Sequence, residues 1–286
     1  MGSPCEIQLF ASDEAAASAA ADRAIAEVER LEARYSRYRP DSFLSEINRV
    51  AAAGGEIEVD PETALLLDYA ATCFEQSGGL FDITSGILRQ AWRFDSGKLP
   101  DPEVVDRLLE RIGWDKLRWR SPVIAFPEPG LEIDFGGVVK EYAVDRLAAL
   151  CLASGLRHGV VNLGGDVRVI GPRGDGEPWS IGIRHHRVRE GVASIVKLER
   201  GAIASSGDYE RCIVIDGNHY GHILNPRTGW PVQGLAAVSV IADLCVVAGS
   251  AATIAMLKEK EGAEWLASLG LPHRWTDVHG RTGGSI

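Results

Sequence analysis

The stretch Asp134-Phe135-Gly136-Gly137-Val138-Val139-Lys140 joins an acid, a pair of glycines and a lysine within one short segment. The apolar run at residues 131–135 predicts a strand, and the pattern that follows predicts a helix over about residues 137–154. Glycines let backbone amides approach a ligand, and amides at a helix N-terminus attract an anion. Lys140 would oppose the helix dipole in the first turn unless a phosphate offset its charge. The stretch therefore indicates an anion-binding turn, although paired glycines also mark ordinary β-turns.

Helical and strand-like patterns are interspersed on both sides of this stretch. An alternating strand at residues 5–10 and helices at about residues 14–35 and 61–78 precede it, and an Ala-rich helix at about residues 246–260 follows. Short strands are predicted at residues 159–163, 167–170, 179–183, 194–198, 211–215, 219–224 and 236–242. Because helices and strands do not alternate strictly, we expect an α+β fold of mixed or antiparallel sheets with flanking helices, in two closely packed lobes. Without a linker or repeat, these lobes are predicted to form one domain over residues 1–286.

The composition excludes several classes of protein. The chain has 286 residues, of which 40 are acidic and 30 basic, and the net charge of −10 disfavours nucleic-acid binding. No apolar run approaches the ~20 residues that span a bilayer. Five dispersed cysteines without a Cys-x-x-Cys pair favour buried thiols over a disulfide framework or a zinc site. The supplied chain shows no export signal, which predicts a cytoplasmic protein; the alternative is an exported, periplasmic one whose N-terminal signal was removed.

Further loops combine glycines with one polar or charged side chain; they lie at residues 78–84, 162–166, 205–209 and 222–229. The last of these begins with His222, three residues after His219 on a predicted strand. Residues three apart on a strand point to opposite faces, so a joint metal site of the two histidines is not expected. By itself, His222 fits a general acid or base, a phosphate partner or a solvated surface residue.

Taken together, the ordered motifs resemble the ApbE-type FAD:protein FMN transferase family over nearly the whole chain. The matching segments are Met1-Gly2-Ser3, Ser36-Arg37-Tyr38, SEIN at residues 45–48, GLFDIT at 79–84, Trp92, DFGGVVKEYAVD at 134–145, NLGGD at 162–166, SSGDYE at 205–210 and HILNPRTGWP at 222–231. Several of these are weak alone, but their order and spacing are specific.

The resemblance implies an enzyme that binds FAD, splits its diphosphate and attaches FMN through a phosphoester to a Thr or Ser of an acceptor flavoprotein, releasing AMP. Carried over by motif position, the implied FAD contacts are Met1, Tyr38, Leu80, Phe81, Asp82, Asp134, Lys140 and Ile223. His222 matches the catalytic histidine of the family, beside the scissile phosphates. Its implied role is general-base or electrostatic catalysis.

The resemblance also implies an Mg²⁺ site, and here the chain departs from the pattern. The family's ligands correspond to the carbonyl of Gly137, to Thr253 and to an acid at the position of Gly249. Mg²⁺ prefers anionic oxygen ligands, so losing this acid should weaken metal binding unless another acid replaces it. On sequence alone, Gly249→Asp is expected to raise metal affinity. Smaller departures are Glu141 in place of a glycine and Asn225 in place of an aspartate.

These departures leave two alternatives to the transferase. One is an FAD diphosphatase, which would release FMN and AMP to water from the same site. The other is a non-catalytic FAD-binding protein, for which the glycine at position 249 is the argument. Retention of Lys140, His222 and Thr253 together favours an enzyme.

Overall fold

The computed structural model of the protein describes residues 4–188, 191–209 and 211–286. The strands, in chain order, are β1 (Cys5–Phe10), β2 (Gly55–Glu58), β3 (Arg118–Arg120), β4 (Val123–Phe126), β5 (His158–Leu163), β6 (Asp166–Gly171), β7 (Trp179–Arg184), β8 (Val192–Leu198), β9 (Gly201–Gly207), β10 (Cys212–Ile215), β11 (Asn218–Gly221), β12 (Leu235–Ala242), β13 (His273–Asp277) and β14 (Thr282–Gly284). The α-helices are α1 (Glu14–Tyr35), α2 (Phe43–Ala53), α3 (Pro61–Ser77), α4 (Pro102–Leu109), α5 (Val139–Ala153), α6 (Cys245–Leu257) and α7 (Gly262–Leu269). Short 3-10 helices lie at Ile83–Gln90, Trp114–Lys116 and Glu259–Glu261.

A seven-stranded antiparallel sheet with the order β1-β5-β6-β9-β12-β13-β14 forms the centre of the described chain. Side chains alternate between its two faces, as the pleat requires. Val161 and Ala204 belong to the main core, in which α5 and α6 pack on the sheet, whereas Val160 and Ile203 belong to a second core. That second core is completed by the β7–β8 hairpin, which contributes Trp179. The α+β fold with antiparallel sheets and flanking helices is therefore confirmed.

Local sequence signals explain where the N-terminal helices begin and end. The Asp13 carboxylate caps α1 by accepting from the Ala16 amide at 2.8 Å. Asp60 caps α3 in the same way, with Pro61 in the first turn, and Gly78 ends the helix in a left-handed conformation with φ 67°. These predicted boundaries are confirmed. Within this helix Leu66 and Leu67 fill the core, whereas Leu65 is 57% exposed.

One predicted strand is absent, and part of one predicted loop is a strand. Residues 131–135 are extended but join no ladder; instead, the Asn48 side chain takes the place of a partner strand. Its Nδ2 donates to the Ile133 carbonyl at 2.9 Å, and its Oδ1 accepts from the Ile133 amide at 2.8 Å. Conversely, residues 205–207 were predicted as part of a loop but belong to β9, between β6 and β12. Small side chains such as Ala202 and Ala204 let α6 pack closely on this strand.

The remaining elements form a small separate sheet and a third apolar cluster. A small sheet of order β2-β4-β3 lies apart from the central sheet, and the β10–β11 hairpin joins α4 and the 3-10 helix Ile83–Gln90 in a third apolar cluster. In the described ranges, no helix combines the length and the apolar character needed to cross a bilayer. The single domain over residues 1–286 remains a prediction.

Candidate active site

A cleft of about 1080 Å³ brings together the residues that the sequence analysis singled out. Every predicted site residue within the described ranges lines it: Tyr38, Leu80, Phe81, Asp82, Asp134, Gly137, Lys140, His222, Ile223 and Thr253. The predicted contact of Met1 lies outside the described residues. These residues come from five separate parts of the chain, so their meeting in one cleft is a property of the fold. Their individual roles remain predictions.

Asp134 at the end of the extended segment is fixed by Arg37. Its Oδ2 pairs with the Arg37 guanidinium, and its Oδ1 accepts from the Gly136 amide at 2.9 Å. Gly86 provides the space, because a Cβ there would lie 2.5 Å from the Asp134 Cβ. Arg37 also donates to the Tyr38 hydroxyl at 2.9 Å, a hydrogen bond that lowers the pKa of that phenol. Sequence reasoning gave no role to Arg37, although it stood inside a matched motif.

The two aromatic candidates differ in how they face the cleft. Tyr38 is 75% exposed, so its ring is open to a stacking ligand. Phe81 is buried, and its ring lies against Gly137, where a Cβ would be 3.1 Å from Cζ. Phe81 therefore contributes to the wall beneath the glycine turn.

Asp82 uses its carboxylate to build the loop rather than to reach into the cleft. Oδ1 accepts from the Thr84 amide at 2.8 Å and from its hydroxyl at 2.7 Å, and Oδ2 accepts from the Trp114 amide at 2.9 Å. Burial nevertheless raises the pKa of this carboxyl, against the effect of these hydrogen bonds. The arrangement caps the 3-10 helix that starts at Ile83 and fixes the preceding Leu80 and Phe81.

A cluster of charged side chains lies at the start of α5. Lys140 Nζ is 2.5 Å from Asp166 Oδ2 and 4.0 Å from Glu141 Oε1. Glu141 is 8% exposed, and its Oε2 has no hydrogen-bond partner in the described part of the chain. Burial raises the pKa of Glu141 to about 8; the nearby Asp166 adds to this shift, and Lys140 opposes it. A buried carboxyl of this kind is costly unless a proton or a cation neutralises it.

The loop that carries His222 follows β11 and is fixed from both sides. Trp92 Nε1 donates to the Gly229 carbonyl at 2.8 Å, and its ring packs edge-on against Trp230. Asn225 Oδ1 accepts from the Arg227 amide at 2.9 Å, and the Asn225 carbonyl accepts from the Gly229 amide. An aspartate oxygen could accept the same bond, so the asparagine preserves the turn. His222 itself is exposed at the rim of the cleft.

The cleft is more basic than the chain as a whole. Its lining includes Arg37, Arg89, Arg93, Lys140 and Arg211 against the acids Asp82, Asp95, Asp134 and Glu141. Arg89, Arg93 and Arg211 were not identified from sequence, because single arginines scattered along the chain carry no motif signal. An acidic protein thus presents an anion-compatible surface locally.

The residues with metal-ligand chemistry lie just before α5, in its first turn and on α6. No group of three or more His, Cys, Asp or Glu side chains in the described ranges converges as a metal site. A mixed set of oxygen donors does line the cleft: the Gly137 backbone, Thr253, whose hydroxyl lies 2.8 Å from Ser206 Oγ, and the single carboxylate of Glu141. The gain in metal affinity expected from Gly249→Asp remains a prediction, and Glu141 occupies the volume that the new side chain would enter: a Cβ at position 249 would lie 2.5 Å from the Glu141 Cγ.

The model of the ApbE family matches residues 1–274. The chain belongs to the ApbE family. The curated FAD:protein FMN transferase of Chlamydia pneumoniae is 32% identical over 90% of this chain and 82% of its own length. The one of Rhodobacter capsulatus is 34% identical over 73% of this chain, and the match spans 41% of that protein's length.

Solved structures agree with this assignment of the ApbE family. The ApbE protein of Thermotoga maritima superposes with a TM-score of 0.88 at 28% identity, covering 99% of this chain and 94% of that one. The apo form of the Pseudomonas stutzeri flavinyl transferase ApbE gives a TM-score of 0.87 at 26% identity, covering 100% and 92%. The family resemblance and the expected α+β fold are thereby confirmed.

Proposed function

We propose that this ApbE-family chain is an FAD:protein FMN transferase, which attaches FMN through a phosphoester to a Thr or Ser of an acceptor protein and releases AMP. The observation that carries this proposal is the cleft itself. It gathers an exposed aromatic ring (Tyr38), a cationic glycine turn (Lys140) and an exposed imidazole (His222) within one ApbE fold. The aromatic ring suits the flavin of FAD, the lysine suits its diphosphate, and the imidazole suits the reacting hydroxyl of the acceptor.

The reaction is a displacement at phosphorus. The acceptor hydroxyl oxygen forms a bond to the phosphorus on the FMN side, the bridging P–O bond breaks, and AMP leaves with its electron pair. His222 accepts the hydroxyl proton, and its exposed position at the rim leaves room for a macromolecular acceptor. Positioning and charge neutralisation supply most of the rate in phosphoryl transfer.

Mg²⁺ is part of the proposal. The donor set fits a hard cation, because the Gly137 backbone, Thr253 and Glu141 Oε2, which has no hydrogen-bond partner among the described residues, are oxygen donors on one cleft. Bound there, the ion would neutralise charge that develops on the diphosphate. Lys140 binds the same anion from α5, while the glycine turn lets backbone amides approach it.

The test incubates the full chain with FAD, Mg²⁺ and an acceptor protein that carries a flavinylation-type Thr, followed by intact mass measurement of the acceptor. A covalent FMN adduct, absent when the acceptor Thr is replaced by Ala, is expected. Free FMN and AMP without adduct would replace the proposal by the diphosphatase. Bound, uncleaved FAD would replace it by the non-catalytic binding protein.

A further inference from the structure

Glu141 is a buried carboxylate with one oxygen, Oε2, that has no hydrogen-bond partner in the described part of the chain. It lies in the first turn of α5 and lines the cleft, yet it is 8% exposed. Its Oε2 has no hydrogen-bond partner among the described residues, and its Oε1 lies 4.0 Å from the Lys140 ammonium. Lys140 is much closer to Asp166, at 2.5 Å. Lys140 thus lies closer to Asp166 than to Glu141, and a buried carboxylate such as Glu141 is costly unless a proton or a cation neutralises it.

Gly249 on α6 makes room for this carboxylate. A Cβ at position 249 would lie 2.5 Å from the Glu141 Cγ, 3.1 Å from its Cδ and 3.2 Å from its Oε1. Any larger residue at 249 would therefore compete with Glu141 for one volume. The Glu141 carboxylate therefore occupies the volume that a side chain at position 249 would otherwise fill.

Two further oxygen donors belong to the same cleft as Glu141. Thr253 follows Gly249 by one helical turn on α6, so both face the same side, and Gly137 precedes Glu141 by a similar distance along the chain. Thr253 and Gly137 line the cleft with Glu141. One carboxylate, one hydroxyl and one backbone carbonyl form a set of hard ligands that Mg²⁺ accepts, with water completing its coordination.

We propose that Glu141 is the anionic ligand of a divalent cation in this cleft, with Thr253 and the Gly137 carbonyl, and that it replaces an acid on α6 at position 249. The cation is the one that the proposed transferase uses, so this inference rests on that function. It assigns a specific residue and explains Gly249 as part of a remodelled site rather than a lost one.

The test measures Mn²⁺ binding by the metal-stripped full chain in the absence of FAD, from the decrease in the electron paramagnetic resonance signal of free Mn²⁺, with Mg²⁺ as competitor. Wild type is expected to bind one ion that Mg²⁺ displaces. Glu141→Gln keeps the volume but removes the charge and is expected to weaken binding by about tenfold or more. Asp243→Asn, an exposed acid just before α6, is the matched control and is expected to leave binding unchanged.

A swapped variant separates loss of a ligand from loss of structure. Glu141→Gly combined with Gly249→Asp moves the carboxylate across to α6 without the collision and is expected to recover binding to within a few-fold of wild type. Unchanged Mn²⁺ affinity in Glu141→Gln, or a folded swapped variant that does not bind, would overturn the proposal. Intact Mn²⁺ binding in a wild-type protein that transfers no FMN would instead contradict the proposed function and leave the cation site standing.

Discussion

Lys140 Nζ lies 2.5 Å from the Oδ2 of Asp166, a residue that is 2% exposed. The lysine expected to bind the diphosphate is therefore also the counter-ion of a buried acid. An incoming phosphate does not meet a solitary ammonium group but one held in place by a rigid partner, and holding the donor in place reduces the entropy lost on binding.

The two roles of Lys140 can be separated by a pair of substitutions. Lys140→Met leaves the buried Asp166 uncompensated and should lower the free energy of unfolding by about 3 kcal/mol. Adding Asp166→Asn should recover most of that loss in urea unfolding. FAD affinity, followed by flavin fluorescence, should stay about tenfold weaker in both variants, since neither carries the cation. Recovery of affinity in the double variant would show that Lys140 acts on FAD through Asp166 alone.

His222→Ala should lower the rate of FMN transfer by about 100-fold or more while FAD affinity changes little, because the imidazole moves a proton and is not required to bind the flavin. Single-turnover transfer and FAD titration measure the two quantities. His219→Ala, on the adjacent strand β11, is the control and should transfer at nearly the wild-type rate. A His222 variant with wild-type turnover would remove this residue from the reaction.

Gly249→Ala tests the packing between α5 and α6. In an unobstructed helix this change stabilises by about 1 kcal/mol. Here the new Cβ would lie 2.5 Å from the Glu141 Cγ, so we expect a loss of about 1–3 kcal/mol in thermal or urea unfolding. Glu141→Ala in the same chain should reverse the sign, since the obstructing atoms are gone. A stabilised Gly249→Ala single variant would mean that Glu141 moves aside freely.

Asn225 should tolerate aspartate but not alanine. Its Oδ1 accepts from the Arg227 amide at 2.9 Å within the turn that carries His222. Asn225→Asp keeps an acceptor, so stability and transfer rate should be close to wild type. Asn225→Ala leaves the amide without that acceptor and should lose about 1 kcal/mol of stability together with part of the transfer rate. Equal behaviour of the two variants would show that this hydrogen bond does not hold the loop.

The pKa of Glu141 predicts how the stability of the metal-free protein depends on pH. The pKa is raised from 4.5 to about 8 by burial, in a surrounding of Asp166, Lys140, Tyr69 and Cys245. The folded state binds this proton more tightly than the unfolded state does. The contribution of Glu141 to stability is therefore greatest below about pH 4.5, and it is lost as the pH rises towards 8. Glu141→Gln cannot titrate and should therefore remove this loss of stability at high pH.

In EDTA, the Gln variant should therefore exceed wild type in free energy of unfolding by about 1–3 kcal/mol near pH 8, with a smaller difference near pH 5. Urea unfolding at several pH values measures this. A difference that does not change with pH would indicate that Glu141 is already charged in the folded protein.

The sequence predicts the fold well where the signal is local. The helix from Glu14 to Tyr35 and the one from Pro61 to Ser77 begin at aspartate caps that a reader of the sequence can identify. The strand Gly201–Gly207 was missed because glycine, serine and alanine have low strand propensity, and their reason for being there is the close approach of α6. Similarly, no periodicity can reveal that a side chain, Asn48, serves residues 131–135 as a strand partner.

The site shows the same division. Residues inside contiguous motifs, such as Asp134 and His222, were found from their order along the chain. Glu141 was noticed as an oddity, and so was Gly249, but they are more than 100 positions apart, and only the packing of α5 on α6 relates them. The contact between Glu141 and Gly249 explains both residues: the glycine leaves room for the carboxylate.

The shared volume of Glu141 and Gly249 also constrains how such a chain can diverge. Acquiring an acid at 249 first would place two carboxylates in one space, whereas losing Glu141 first would leave no carboxylate at all. Either single substitution gives a protein with a crowded or an incomplete site, so residues 141 and 249 should change together across related sequences. A chain with one arrangement is therefore expected to keep it, so the residues at positions 141 and 249 should distinguish one branch of the family from another.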